Sequence, residues 1–146
     1  MEITTSRFGV LELQPEDIIN FPSGLLGLES CREWVLLADG HNDALGWLQC
    51  ITRPEIALPV VSPRRFLPDY QVRVFRSEVA ALKLEDLHSA QVLVIVGKNE
   101  RSITFNLKAP LMINVERRLG RQVIHNGDQS VQFELLPETA PLRKSA

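Results

Sequence analysis

The 146-residue sequence predicts an all-β protein, mostly antiparallel and β-barrel-like, with one or two short helices. Three observations carry this reading. Apolar residues recur at every second position in several short runs, which is the period of a strand with one buried and one wet face. Turn-forming residues separate those runs. Only one stretch has helical spacing, and about ten short strands with so little helix favour a closed or partly closed barrel over a sandwich.

The elements follow in chain order. Phe21-Pro22-Ser23-Gly24 is a turn with proline at its second position. Ala57-Leu58-Pro59-Val60-Val61 reads as a strand, and Pro59, which cannot donate to a ladder, assigns it to an edge or a bulge. Tyr70, Val72 and Val74 alternate with Gln71 and Arg73 as another strand. Ser77 caps a helix of about two turns, with Glu78 in its first turn and Val79 and Leu82 on one face, ended by the change of pattern at Leu84-Glu85-Asp86-Leu87. Gln91 to Val96 is apolar on both faces and predicts a central, doubly covered strand. Ile103, Phe105 and Leu107 alternate with polar residues, and Lys108-Ala109-Pro110 joins them to Leu111–Val115 as a hairpin. Asn126-Gly127 predicts a second hairpin between 121–125 and 131–135, because both residues tolerate positive φ. Residues 1–136 form the domain, and 137–146 lose periodicity and read as a mobile C-terminal tail.

Composition narrows the function classes. Hydrophobic residues make up 45% and charged residues 23%, so the chain is globular rather than disordered. A net charge of −2, with only 6% aromatic residues to stack on bases, argues against direct nucleic-acid binding. No apolar run approaches the roughly 20 residues of a membrane helix, and Met1-Glu2-Ile3-Thr4-Thr5 has no secretory character, so a cytoplasmic location is expected and no membrane partner. Cys31 and Cys50 lack CxxC spacing and are expected as reduced, packed thiols. His41, His88 and His125 stand apart from each other and from the cysteines, so no metal site is expected. Gly24-Leu25-Leu26-Gly27 has no nucleophile at its centre, and the adjacent carboxylates Glu16-Asp17 and Glu85-Asp86 point apart on any strand. No catalytic residue and no cofactor are expected, and the chain reads as a binding protein rather than an enzyme.

Three segments mix apolar and polar residues beyond what a core requires. They are Ser6-Arg7-Phe8-Gly9 with Phe21 to Glu29, Gly46-Trp47-Leu48-Gln49 with Pro63 to Tyr70, and Thr104 to Asn114 with Gly120-Arg121-Gln122. Trp47 reads first as a core anchor. Asn106 and Asn114 either satisfy backbone groups beside a turn or form a polar recognition patch on one face. Phe66 and Tyr70, next to Pro63 and Pro68, sit in a loop where they contact a partner or lid a barrel end. Phe66, Asp69, Tyr70, Asn106 and Asn114 are therefore the candidate partner-binding residues.

In order and spacing, Phe21-Pro22-Ser23-Gly24-Leu25, Trp47-Leu48-Gln49, Pro68-Asp69-Tyr70 and Asn106-Leu107-Lys108-Ala109-Pro110 resemble the family of the flagellar assembly factor FliW, from about Met1 to about Phe133. The resemblance implies a β-barrel-like fold and a chaperone and translation-regulation role in flagellum biogenesis. It implies two partners, the homodimeric RNA-binding translational repressor CsrA, opposed at flagellin messenger RNA, and flagellin itself, bound alternately. A different reading from the residues alone is a barrel that holds a flavin-type small ligand in its mouth.

Overall fold

The apolar run that includes Gln91–Val96 forms β7 (Ala90–Lys98) in a computed structural model that describes residues 1–86 and 89–135. Its β-branched residues suit a pleated surface buried on both sides. Leu93 joins one apolar cluster and the next residue, Val94, joins another, so both faces of β7 are covered at its middle. The other strands are β1 (Glu2–Thr5), β2 (Gly9–Glu12), β3 (Ile18–Asn20), β4 (Glu33–Ala38), β5 (Leu45–Cys50), β6 (Ala57–Val61), β8 (Ile103–Phe105), β9 (Leu111–Asn114), β10 (Leu119–Gln122) and β11 (Phe133–Glu134). One short helix, α1 (Arg76–Ala80), precedes β7.

Hydrogen bonding runs β7–β6–β5–β4–β3–β10–β9 and returns to β7, which closes a seven-strand barrel. A closed ring can be antiparallel throughout only if its strand number is even. Seven strands oblige one parallel junction, and it falls between β3 and β10, at the single register pair Asn20 and Leu119. There the Asn20 N–H donates to the Arg118 carbonyl at 2.9 Å, and Arg118 takes a left-handed φ of 52° to present it. The other junctions of the ring are antiparallel. β8 and β11 extend the sheet beyond the ring from the far end of β7.

Side chains fill the barrel. Phe21, Trp34, Leu48, Cys50, Val60, Leu111 and Ile113 belong to one buried cluster. Trp34, fully buried, donates its indole N–H to the Cys31 carbonyl at 2.8 Å. Cys31 and Cys50 are both buried free thiols, and burial together with the Cys50 thiol pushes the Cys31 thiol up. The outward face of β4 is covered as well: Val35 and Leu37 pack against Ile3, Leu11 and Leu13 from the β1–β2 hairpin and its exit.

Several expectations are corrected. Trp47 is not the core tryptophan. It is half-buried on the outer face of β5, with the Phe8 ring edge-on at 5.8 Å, the Arg7 guanidinium 4.4 Å from its ring centre, and its indole N–H on Asp39 at 2.9 Å. That bond is the leading cause that holds the Asp39 carboxyl below its usual range. The helix is a single short turn and a half, capped at Phe75 with no side-chain cap from Ser77. Residues 71–75 alternate in exposure as a strand does, yet pair with no other strand among the described residues. Neither expected hairpin forms. β8 and β9 both pair with β7, along different halves of it, and not with each other. β11 pairs with β8, while β10 pairs with β9 and β3. Among the described residues, Pro59 does lie where β6 has only β5 beside it, since β7 pairs with β6 at Val60 and Val61 alone. The expected tail at 137–146 lies outside the described residues.

Candidate functional site

Two prolines shape the loop that carries three of the five candidate residues. Pro63 starts a 3-10 turn, Pro63–Arg65, and the Phe66 and Leu67 N–H groups both donate back to the Pro63 carbonyl. This turns the Phe66 ring, half-buried, onto Phe105 at the end of β8, edge-to-face at 5.1 Å. The Tyr70 N–H closes a further turn onto the Leu67 carbonyl at 3.0 Å. Asp69 is left exposed at the tip of that turn.

Tyr70 points the other way. It is 6% exposed, and its hydroxyl donates to the Leu107 carbonyl at 2.8 Å. Tyr70, expected to contact a partner or to lid a barrel end, is too buried for the first and serves as a strut that ties the 63–70 loop to the segment after β8. Burial pushes its phenol up to about 12. Leu107 is held in turn by its N–H on the Ser130 carbonyl at 2.9 Å.

The two asparagines do not share a face. Asn106 is half-buried near the loop; its N–H bonds the Ile95 carbonyl and its side-chain oxygen accepts from the Ala109 N–H at 3.2 Å. Asn114 is buried at the opposite end of β7, paired with Ala90, about 16 Å away for five residues of strand. Its amide donates to the Leu82 carbonyl at 2.8 Å and its oxygen accepts from the Arg117 N–H at 3.3 Å. Asn114 therefore fastens the turn after α1 to β9. Asn114→Ala is expected to cost about 1–3 kcal/mol in urea unfolding, since it orphans a buried carbonyl. An unchanged unfolding midpoint would contradict that role.

Phe66, Asp69 and Tyr70 share one loop, and Phe66 and Tyr70 reach Phe105 and Leu107 on either side of Asn106 in the chain, while Asn114 lies apart. Beside them lies a depression of about 480 Å³ lined by Asp69, Tyr70, Leu107, His125, Asp128 and Phe133, with Arg73 also on its wall. Among the described residues neither Asp69 nor Asp128 makes an ion pair. Other carboxylates are engaged: Glu12 with the Met1 amine, and Glu78 with Arg121 at 3.0 Å, which holds Glu78 below its usual range.

His125, isolated in the sequence, turns out to be the hinge-pin of this end. It is 2% exposed; its Nδ1 accepts from the Gly127 N–H at 3.0 Å, and its Nε2 lies 2.7 Å from the Gln71 carbonyl and 3.1 Å from the Arg73 N–H. The Lys108 ammonium closes the same turn on the Gly127 carbonyl at 2.7 Å. Only the local string His125-Asn126-Gly127 hinted at this, and it reads as a hairpin turn. Among the described residues no cluster of three His, Cys, Asp or Glu side chains is placed to hold a metal, and no helix is long and apolar enough to cross a membrane. The arrangement offers a shallow surface with apolar ground and two carboxylates, which suits protein docking.

Comparison with known proteins agrees over nearly the whole chain. The family model described as FliW protein matches residues 2–135. A protein named flagellar assembly factor FliW in Bdellovibrio bacteriovorus is 40% identical, over 85% of this chain and 72% of its own length. A protein of the same name in Natranaerobius thermophilus is 31% identical over 100% of this chain and 99% of its own. A crystal structure of the flagellar assembly factor FliW superposes with a TM-score of 0.85 at 28% identity, covering 94% of this chain and 99% of that one.

Proposed function

This chain belongs to the FliW family, and from that premise we propose that it is a cytoplasmic flagellar assembly factor that binds alternately a CsrA-type RNA-binding repressor dimer and flagellin. It acts by docking, not by catalysis. Family membership carries the flagellar part of this reading. The surface at Phe66 and Asp69 supports the docking part, because it joins half-buried apolar groups to carboxylates, Asp69 and Asp128, that form no ion pair among the described residues.

The physics of antagonism follows from charge. A repressor that holds messenger RNA presents basic residues to phosphate. Asp69 and Asp128 attract such a face, and a docked protein with a net charge of −2 adds negative potential beside it that repels the RNA backbone. The apolar ground between the carboxylates keeps part of the affinity when salt screens the rest. Tyr70 sets the loop at the right height without touching the partner.

The test reverses charge while leaving Tyr70 in place. Asp69→Arg combined with Asp128→Arg is expected to weaken repressor binding about tenfold or more by calorimetry, with an unchanged thermal midpoint. Repressor binding at full strength in that folded variant rejects this surface as the docking site. Failure of the unaltered chain to bind either purified partner rejects the function itself.

A further inference from the structure

Residues 71–75 have one used edge and one bare edge. Gln71, Arg73 and Phe75 are exposed, while Val72 and Val74 are half-buried, as in a strand. On one edge the His125 Nε2 lies against the Gln71 carbonyl at 2.7 Å and the Arg73 N–H at 3.1 Å, and the Arg73 carbonyl accepts from the Asn126 N–H at 2.7 Å. Backbone groups of alternate residues in an extended chain face opposite edges, so those of Val72 and Val74 turn away from His125. Among the described residues, neither the N–H nor the C=O of Val72 or Val74 has a hydrogen-bond partner.

That bare edge opens on a groove of about 500 Å³. Val79, Val92 and Met112 give it an apolar bed, and Arg64, Arg73 and Arg76 stand around it with no carboxylate in the lining. None of the three arginines forms an ion pair among the described residues; Arg64 spends its Nε–H on the Tyr70 carbonyl at 2.9 Å. The chain as a whole is acidic, so this concentration of positive charge on an apolar groove is a local feature with its own electrostatic preference.

We propose that this groove receives an extended acidic segment of a partner protein, which adds as a strand to the Val72–Val74 edge. The unpaired N–H and C=O groups ask for an occupant with alternating donors and acceptors. A peptide backbone supplies both; a phosphate or a fatty-acid carboxylate supplies only acceptors. The apolar bed takes a side chain from one face of the added strand, and Arg73 and Arg76 meet carboxylates flanking it. Gln71 and Arg73 line both this groove and the Asp69 depression, but Arg64 and Arg76 line the groove alone and attract the opposite charge, so the inference stands whether or not the repressor docks at Asp69.

The experiment uses fluorescence anisotropy of a short labelled peptide alternating glutamate with valine and threonine, the same peptide N-methylated at alternate residues, and a lysine counterpart. The glutamate peptide is expected to bind saturably. Binding is expected to fall about tenfold on N-methylation and about tenfold for Arg76→Glu, a surface change outside the Asp69 depression. Equal binding of the N-methylated peptide shows charge attraction without strand addition and overturns the proposal. So does an absence of saturable binding by the glutamate peptide, including the case in which laurate binds the groove instead.

Discussion

Gly120→Ala is expected to destabilise the protein by about 3 kcal/mol, lowering the thermal midpoint by about 6–12 °C for a chain of this size. Gly120 sits in β10, at the closing side of the barrel, and the Phe21 ring lies directly over its α-carbon. A β-carbon there would stand 2.6 Å from two ring carbons and closer still to a third. The ring has nowhere to go, because Phe21 is fully buried among the side chains that fill the barrel. Its backbone is fixed too: the Phe21 N–H donates to the Arg32 carbonyl at 2.7 Å and its carbonyl accepts from the Gly24 N–H at 2.8 Å. Reducing the ring in the double variant Gly120→Ala with Phe21→Leu is expected to cost about 1 kcal/mol or more less than the sum of the single changes. Urea unfolding measures both; a neutral Gly120→Ala, or strict additivity, would show that the ring does not fill the space over β10.

Raising the pH from 10 to 12 is expected to remove about 2 kcal/mol of stability through Tyr70 alone. The sign is fixed by which state holds the proton more tightly. Unfolded, the phenol titrates near its ordinary value of 10; folded, burial raises it to about 12. The folded state therefore keeps its full advantage below pH 10 and loses it as the pH climbs through the folded value. Tyr70 is the single tyrosine of the chain, so tyrosinate absorbance follows this group and no other. The tyrosinate signal should rise well above pH 10 and coincide with unfolding, and Tyr70→Phe should lack the Tyr70 share of the stability loss. A phenol that titrates near 10 in the folded protein would contradict the buried strut.

The strands whose partners are decided by their own faces were legible. β7 announced itself because Leu93 and Val94 are both apolar and both buried, on opposite sides. The turn at Phe21–Gly24 was legible for a local reason, its hydrogen bond and the positive φ of Gly24. What failed was partner choice. The Asn126-Gly127 signal marks a real change of direction, but the chain leaving it pairs with β8, whose residues lie far back in the sequence. Turn chemistry reports on four residues and cannot name the strand that follows. The same limit governs the site. Pro68 beside Tyr70 marks a loop, and nothing local tells whether the ring faces water or the Leu107 carbonyl. Loop position alone was enough to expect Asp69 exposed and Phe66 near the surface, whereas His125 carried no local signal, because its partners at Gln71 and Gly127 straddle fifty-odd residues of chain.

The parallel junction of β3 with β10 also has a consequence in time. Residue 20 leaves the ribosome long before residue 119, and at about 5–20 residues per second the interval is about 5–20 s. Throughout it, one side of β3 is a row of main-chain groups with nothing to hold. The barrel is thus a vessel whose last stave is delivered late, and it cannot close until β10 has left the ribosome.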